Sequence, residues 1–461
     1  MLKISQKIYN FLPAPAKNLL VTIYNLKLLR IRGSRYKRLL KEYDQIFFHT
    51  SLDELSKIQN ERFLQLIDFS VKNNKFHGSR LESLNIQSLN DIKKIPILFK
   101  ENLRDPSIKS NIKDKLFIGY TGGTTGKSLT FYLTLDDLIE RNACLDFFRG
   151  MYGYKFGDET AWFSGKEIIT KKEEKNKIYW VKDLINNISY YSTFHLQREM
   201  INYTIDNLNT AKPLYFVGFP SAMYDIAKQW KRTGKEVGFQ LRAIFPTAEP
   251  LLDHQKVFLE EFFSCPVPDQ YASSEGAPFI YECPHGTLHY DMYSGIIETI
   301  DSENPDVLVT SFTTKCMPLI RYAIGDGVEF DKSSKVCGCG SSMPVVDKIF
   351  GRSVAYLYSK ERGRVTVSNI SNVVKYLGII DKFQAIQVRE DFISVKIVCD
   401  DHHDKEDIIK ELDYQMRYRL GSDIGIEYQF LKDIPNGKNG KFSIVENRLH
   451  VNPPINNGGQ K

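Results

Sequence analysis

No stretch of this chain is both long and apolar enough to cross a bilayer. The best candidate, Asn18 to Ile31, is broken by Lys27 and Arg30 and falls short of the roughly 20 apolar residues that a spanning helix needs. No small-residue cleavage site follows it, so neither an exported nor a transmembrane protein is expected. Cysteine is scarce, seven in 461 residues, which excludes a disulfide framework. Repeats and low-complexity tracts are absent, and with 42% hydrophobic and 26% charged residues the composition is that of an ordinary globular protein of two or three domains. One absence is local. Residues 1 to 41 hold ten Lys and Arg and no acid, whereas the rest of the chain carries 52 basic against 56 acidic residues, a net −4. The overall +6 is therefore a basic arm, not a basic protein. No nucleic-acid-binding fold motif accompanies it, so no nucleic-acid partner is expected. Its apolar residues Leu19, Leu20, Ile23, Tyr24, Leu28 and Ile31 suit either packing on a domain or peripheral contact with an anionic membrane.

What is present is concentrated first in Tyr120 to Ser128, YTGGTTGKS, where three glycines, three threonines and a lysine lie between two short apolar runs. Glycines bring backbone N–H groups close to a ligand, threonines add hydroxyl donors and the lysine adds a positive charge, the ingredients of a phosphate cradle. It is not a P-loop, because Thr121 stands where that motif needs its first glycine, and the probable strand LTFYL follows instead of a helix. A polar hairpin turn is the plain alternative.

Around this loop, residues 1 to 115 read as mostly helical, and Asp136 to Phe148 as a helix. Leu214 to Gly218 and Leu241 to Phe245 read as strands, each followed by a helix, the second spanning Leu251 to Phe263. Val267 to Tyr271 is a further short run. This alternation implies a largely parallel α/β sheet whose strand ends carry function. Gly295 to Ile300 and Val307 to Phe312 read as antiparallel β. Past Arg352, Phe383 to Val388, Phe392 to Val398, Lys405 to Leu420 and Ile424 to Leu431 form a β-β-α-β module, a separate small domain.

Further segments carry chemistry. Thr247-Ala248-Glu249-Pro250 and Tyr271-Ala272-Ser273-Ser274-Glu275-Gly276 follow strands, and offer a tyrosine face for a base and carboxylates for a metal. Asp326 stands between Gly325 and Gly327, where its two oxygens can accept a pair of hydroxyls. Gly351-Arg352 lies at the domain seam, and a loop from Pro435 to Phe442 contains Lys441. Cys283 and His289, with Cys337 and Cys339 of CGCG, are the three thiolates and one imidazole of a closed tetrahedral zinc site, with His285 the alternative nitrogen and free buried thiols the plain alternative.

In this order and spacing, these segments resemble the adenylate-forming ligase superfamily, within it the phenylacetate-CoA ligase-like branch that includes proteins of capsular-polysaccharide gene clusters. The resemblance covers about residues 90 to 450 and implies an α/β fold with a large multi-sheet N-terminal adenylation domain and a small α+β C-terminal lid. The expected divisions are a basic helical segment 1–90 packed on the large domain, the large domain 91–351 and the lid 352–461, with the active site between large domain and lid. By the same resemblance, Thr121, Gly122, Gly123, Thr124, Thr125, Gly126 and Lys127 would hold the ATP phosphates. Ala248, Glu249 and Pro250 would lie along the adenine, Tyr271 would stack on it, and Asp326 would bind the ribose. Glu275 would hold Mg²⁺, Arg352 would contact ribose or α-phosphate, and Lys441 would bridge the acid and the α-phosphate. The implied activity is conversion of a small carboxylic acid and ATP to an acyl-adenylate, then acyl transfer to a thiol such as CoA, an amine or a hydroxyl. A nucleotide-binding scaffold in surface-polysaccharide assembly, without chemistry, is the alternative. The expected location is the cytoplasm, with peripheral contact at the inner membrane face if the basic arm meets lipid.

Overall fold

Tyr215–Gly218 and Ala243–Pro246 are strands with every residue buried, as apolar runs must be when a parallel sheet is covered on both faces. They form one side of a five-stranded sheet ordered Trp180–Asp183, Ile188–Ser192, Thr160–Ser164, Tyr215–Gly218, Ala243–Pro246. Its last four strands are parallel and Trp180–Asp183 is an antiparallel edge. The expected helices follow as Pro220–Thr233, stopped by Gly234 in the left-handed region (φ 66°), and Asp253–Phe263, which Leu251 and Leu252 precede without joining. Trp230, fully buried among Phe216, Leu241 and Phe263, seals one face of the sheet.

The expected antiparallel region is broader than two strands. Gly295–Thr299 and Asp306–Ser311 pair antiparallel at one end of a seven-stranded sheet that continues through Tyr322–Phe330, Val345–Phe350, Leu288–Tyr290 and Ile280–Glu282 to Gln270–Tyr271. The helix Leu135–Gly150 sits in the core shared with this sheet, its Phe147 and Phe148 packed with Tyr43, Phe47, Phe245 and Tyr281. Thr134 and Asp137 close its N-terminus as a reciprocal capping box at 2.8 and 3.0 Å. Phe117–Tyr120 and Thr130–Leu133 form an antiparallel hairpin; the phosphate-loop candidates between them lie outside the described residues.

The computed structural model describes residues 12–120, 129–164, 168–193, 195–196, 198–300, 306–333, 336–350, 356–361, 363–366, 370, 373, 379–400, 404–435 and 442–449. The chain divides into two compact units, Met1–Ile349 and a smaller one beginning at Phe350. In the smaller unit Ile380–Arg389, Phe392–Cys399, Lys405–Leu420 and Gly425–Phe430 realise the β-β-α-β reading, and Val445–Asn447 adds a parallel edge to Ile380–Arg389. Ile393, Val395 and Ile397 on alternate positions face Ile408, Leu412 and Met416 of the helix, the meeting of a period of two with a period near 3.6.

Candidate functional site

The ends of two sheets converge in the large unit. Gln270 donates from Nε2 to the carbonyl of Pro246 at 2.7 Å, which ties the edge of the antiparallel sheet to the last parallel strand. The loop after Ala243–Pro246 is held in turn: Thr247 N donates to Gly218 O at 2.8 Å, and Glu249 accepts from Ser221 Oγ at 2.6 Å and Ser221 N at 3.3 Å, at the start of the Pro220–Thr233 helix. A carboxylate there meets the positive end of the helix dipole. Ala248 between them adopts φ +68°, a left-handed conformation that costs a non-glycine residue about 1 kcal/mol or more and is characteristic of functional loops.

Asp326 reaches the same region through an irregularity. In the pairing of Asp306–Ser311 with Tyr322–Phe330, Asp306 faces Gly327 and Leu308 faces Ala323, so the second strand bulges between them. Gly325 takes φ +76° within the bulge, and such a bulge re-aims side chains. Asp326, nine-tenths buried, accepts a hydrogen bond from Tyr271 Oη at 2.7 Å. The residues assigned by resemblance to adenine and ribose are thus in direct contact.

Glu275 lies on a loop fastened from below. Arg141, in the Leu135–Gly150 helix and buried, donates to Ser273 O at 2.8 Å, Thr313 Oγ1 at 3.0 Å and Ala277 O at 3.4 Å. Its guanidinium lies 4.7 Å from the Phe279 ring centre. Burial pulls Arg141 below the usual arginine pKa, with nearby acids opposing. Ser273 Oγ accepts from Gly276 N and Ala277 N at 3.1 and 2.8 Å. Gly276 has φ +117°, and a Cβ there would lie 2.1 Å from Thr314 Cγ2, so only glycine fits. Sequence reasoning missed Arg141 and Gln270. The one available signal for Arg141 was a charge among the apolar positions Leu138, Ile139 and Leu145; Gln270 gave none.

Cys283, His289, Cys337 and Cys339 come together, with one ligand atom from each lying within 4.8 Å of all the others. Cys283 Sγ is 3.6 Å from Cys337 Sγ, and Cys339 Sγ is 3.4 Å from His289 Nε2. Tetrahedral zinc with bonds of about 2.0 Å to nitrogen and 2.3 Å to sulfur places its ligands roughly 3.3–3.8 Å apart, so the donor set and its spacing fit the metal. His289 Nδ1 lies 3.1 Å from Met343 O, an arrangement that leaves Nε2 for a ligand role. The other imidazole, His285, packs beside Gly338 outside this group. Arg352 and Lys441 lie outside the described residues, as do Thr121 to Lys127.

Among the described residues no helix is long and apolar enough to cross a membrane. Residues 357–448 match the family model described as the CapK C-terminal domain. Among solved structures, a 2-hydroxyisobutyryl-CoA ligase in complex with an acyl-adenylate superposes with TM-score 0.69 at 16% identity, covering 88% of this chain and 91% of that one. The same ligase with an adenylate and CoA gives TM-score 0.56 at 17% identity, covering 88% and 91%. These likenesses establish the fold. Protein CapK of Staphylococcus aureus is 31% identical over 451 residues, 96% of this chain and 99% of the relative. Since the likeness to that protein runs the length of both chains, this chain belongs to the CapK family, and its fold matches that of the adenylate-forming ligases.

Proposed function

We propose that this protein activates a carboxylic acid with ATP and hands the acyl group to an acceptor, in the cytoplasm and in the service of surface-polysaccharide synthesis. The observation that carries this reading is the Tyr271–Asp326 contact at 2.7 Å, beside the loops of Ala248 and Glu275, on a fold shared with a ligase solved with its acyl-adenylate. An oxygen of the substrate carboxylate attacks the α-phosphorus, the bond from that phosphorus to the bridging oxygen breaks, and pyrophosphate leaves. The acceptor's thiol, amine or hydroxyl then attacks the acyl carbon, loses its proton, and AMP departs. CoA, an amine and a hydroxyl all satisfy this balance.

The first step joins two anions, so its barrier falls when positive charge is placed where negative charge accumulates. In our reading Lys127 and neighbouring N–H groups hold the phosphates, Arg352 contacts the nucleotide, and Lys441 draws the carboxylate to the α-phosphate. Asp326 accepts from the ribose hydroxyls while Tyr271 keeps its carboxylate aimed and presents a face to adenine. Ala248, Glu249 and Pro250 border the base. Glu275, 7% exposed on its fastened loop, would hold Mg²⁺, which supplies charge neutralisation at the phosphates. Zinc held by Cys283, His289, Cys337 and Cys339 would have no open position and would serve structure alone.

Acid-dependent pyrophosphate release, measured over aliphatic, aromatic, hydroxy and amino acids, tests the proposal. Release with one class is the expected result. Tight ATP binding without release for any acid would leave the nucleotide-binding scaffold as the function.

A further inference from the structure

The first helix, Ala14–Ile31, buries polar side chains along with the apolar Leu28 and Ile31. Its polar residues at 18, 22 and 25, spaced i, i+4, i+7, face inward against the edge strand Trp180–Asp183. Asn18 Oδ1 accepts from Lys182 N at 2.9 Å and Thr22 Oγ1 from Leu184 N at 3.0 Å. Asn25 Nδ2 donates to Asp183 Oδ2 at 2.7 Å and Tyr190 Oη at 3.1 Å. Near the start of the helix, Lys17 is fully buried on Glu173 and Thr170. The cause is the sheet edge: its outward N–H groups need acceptors, and a helix that covers them must present polar atoms.

The consequence is on the neighbouring stripe. Leu19, Ile23 and Leu26, each one residue on from those and so about 100° round the helix, are 55%, 44% and 40% exposed, with exposed Arg30 next along. Beside them the turn after the edge strand adds Leu184 and Ile185, half exposed. Of the arm's ten basic residues, Lys17, Arg32 and Arg35 are held by Glu173, Asp146 and Asp136, whereas Arg30, Lys37, Arg38 and Lys41 are exposed. Exposed Glu174 is flanked by exposed Lys172 and Lys175.

We propose that this stripe, with the arm's exposed bases, is a docking surface for an anionic lipid bilayer. Apolar side chains enter the headgroup region while lysines and arginines meet phosphates, as in other interfacial helices. A second copy of this chain fits poorly, because pairing two such stripes would set like charges together. The inference is independent of the catalytic reading, since it uses none of the residues assigned to ATP, acid or metal.

The test is flotation of the full chain with phosphatidylcholine vesicles containing roughly one-third phosphatidylglycerol, at low and high salt. Binding is expected with these vesicles, weaker at high salt and absent with phosphatidylcholine alone. The triple variant Leu19→Ser/Ile23→Ser/Leu26→Ser should partition about tenfold less, equivalent to about 1.4 kcal/mol, with its thermal unfolding and pyrophosphate release unchanged. Lys37→Gln/Arg38→Gln/Lys41→Gln, altered only at exposed sites, should bind less and lose much of the salt dependence, and it stands as the test should the triple variant misfold. No flotation, equal flotation with neutral vesicles, or equal flotation of parent and both variants would overturn the proposal. So would a parent that is dimeric in solution and becomes monomeric in the triple variant without having bound vesicles.

Discussion

Replacing Arg141 by lysine tests how the Glu275 loop is held. The guanidinium makes three hydrogen bonds, two to carbonyls on either side of Glu275 and one to Thr313. Lysine keeps the charge but cannot reach three fixed acceptors with a planar fork. Hydrogen bonds from a charged donor contribute about 1.5–3 kcal/mol each, and a buried acceptor left unpaired costs about 1–3 kcal/mol. The 3.4 Å bond to Ala277 is the weakest, and burial of Arg141 already disfavours its charge, so these contributions do not add. A net loss of about 2–3 kcal/mol of stability is the expectation. The effect on activity is separate: a loop freed by about 1 Å can cost about 100-fold in rate. Denaturant unfolding gives the first quantity, and the dependence of pyrophosphate release on Mg²⁺ concentration gives the second. Arg141→Lys should need more Mg²⁺ for half-maximal rate, whereas a residue that only stabilises the fold would leave that concentration alone. An unchanged Mg²⁺ dependence in folded Arg141→Lys refutes the positioning argument.

Tyr271→Phe removes the 2.7 Å bond to Asp326 and should raise KM for ATP about tenfold, or about 1.4 kcal/mol, in steady-state assays; an unaltered KM places nucleotide elsewhere. Lys441→Ala should abolish acyl-adenylate formation while ATP binding, followed by calorimetry, persists. Purified protein should carry about one zinc per chain by elemental analysis, and Cys337→Ser should lower both zinc content and melting temperature. Stability should also fall with acid because of His77. Burial first, then the Arg80 charge, depress its pKa to about 3, so the folded state resists a proton that the unfolded chain accepts near pH 6.5. The contribution of neutral His77 is complete above that pH and is lost as pH falls toward 3, about 2–3 kcal/mol of it between pH 6.5 and 4.5. Urea unfolding of His77→Gln at both values should show a shallower loss; an identical loss removes His77 as the cause.

Much of this protein was written locally. The runs ending in Gly218 and Phe245 announced buried parallel strands because both sheet faces are covered, and Gly421 closed the Lys405–Leu420 helix because a residue with φ near +89° ends it without strain. The zinc candidates were legible as residue types, since few side chains besides thiolate and imidazole suit that metal. Distances between elements were not legible. That His289 and not His285 stands among the thiols depends on how Leu288–Tyr290 pairs with its neighbours, a matter of register. Arg141 could be recognised as a clamp only after folding brought residues 273, 277 and 313 to it across more than 130 positions. The first helix makes the same point most sharply. Its apolar residues were plain in the sequence, but which of them face solvent was decided by the edge of a sheet some 160 residues away, because backbone N–H groups there take Asn18 and Thr22 as acceptors.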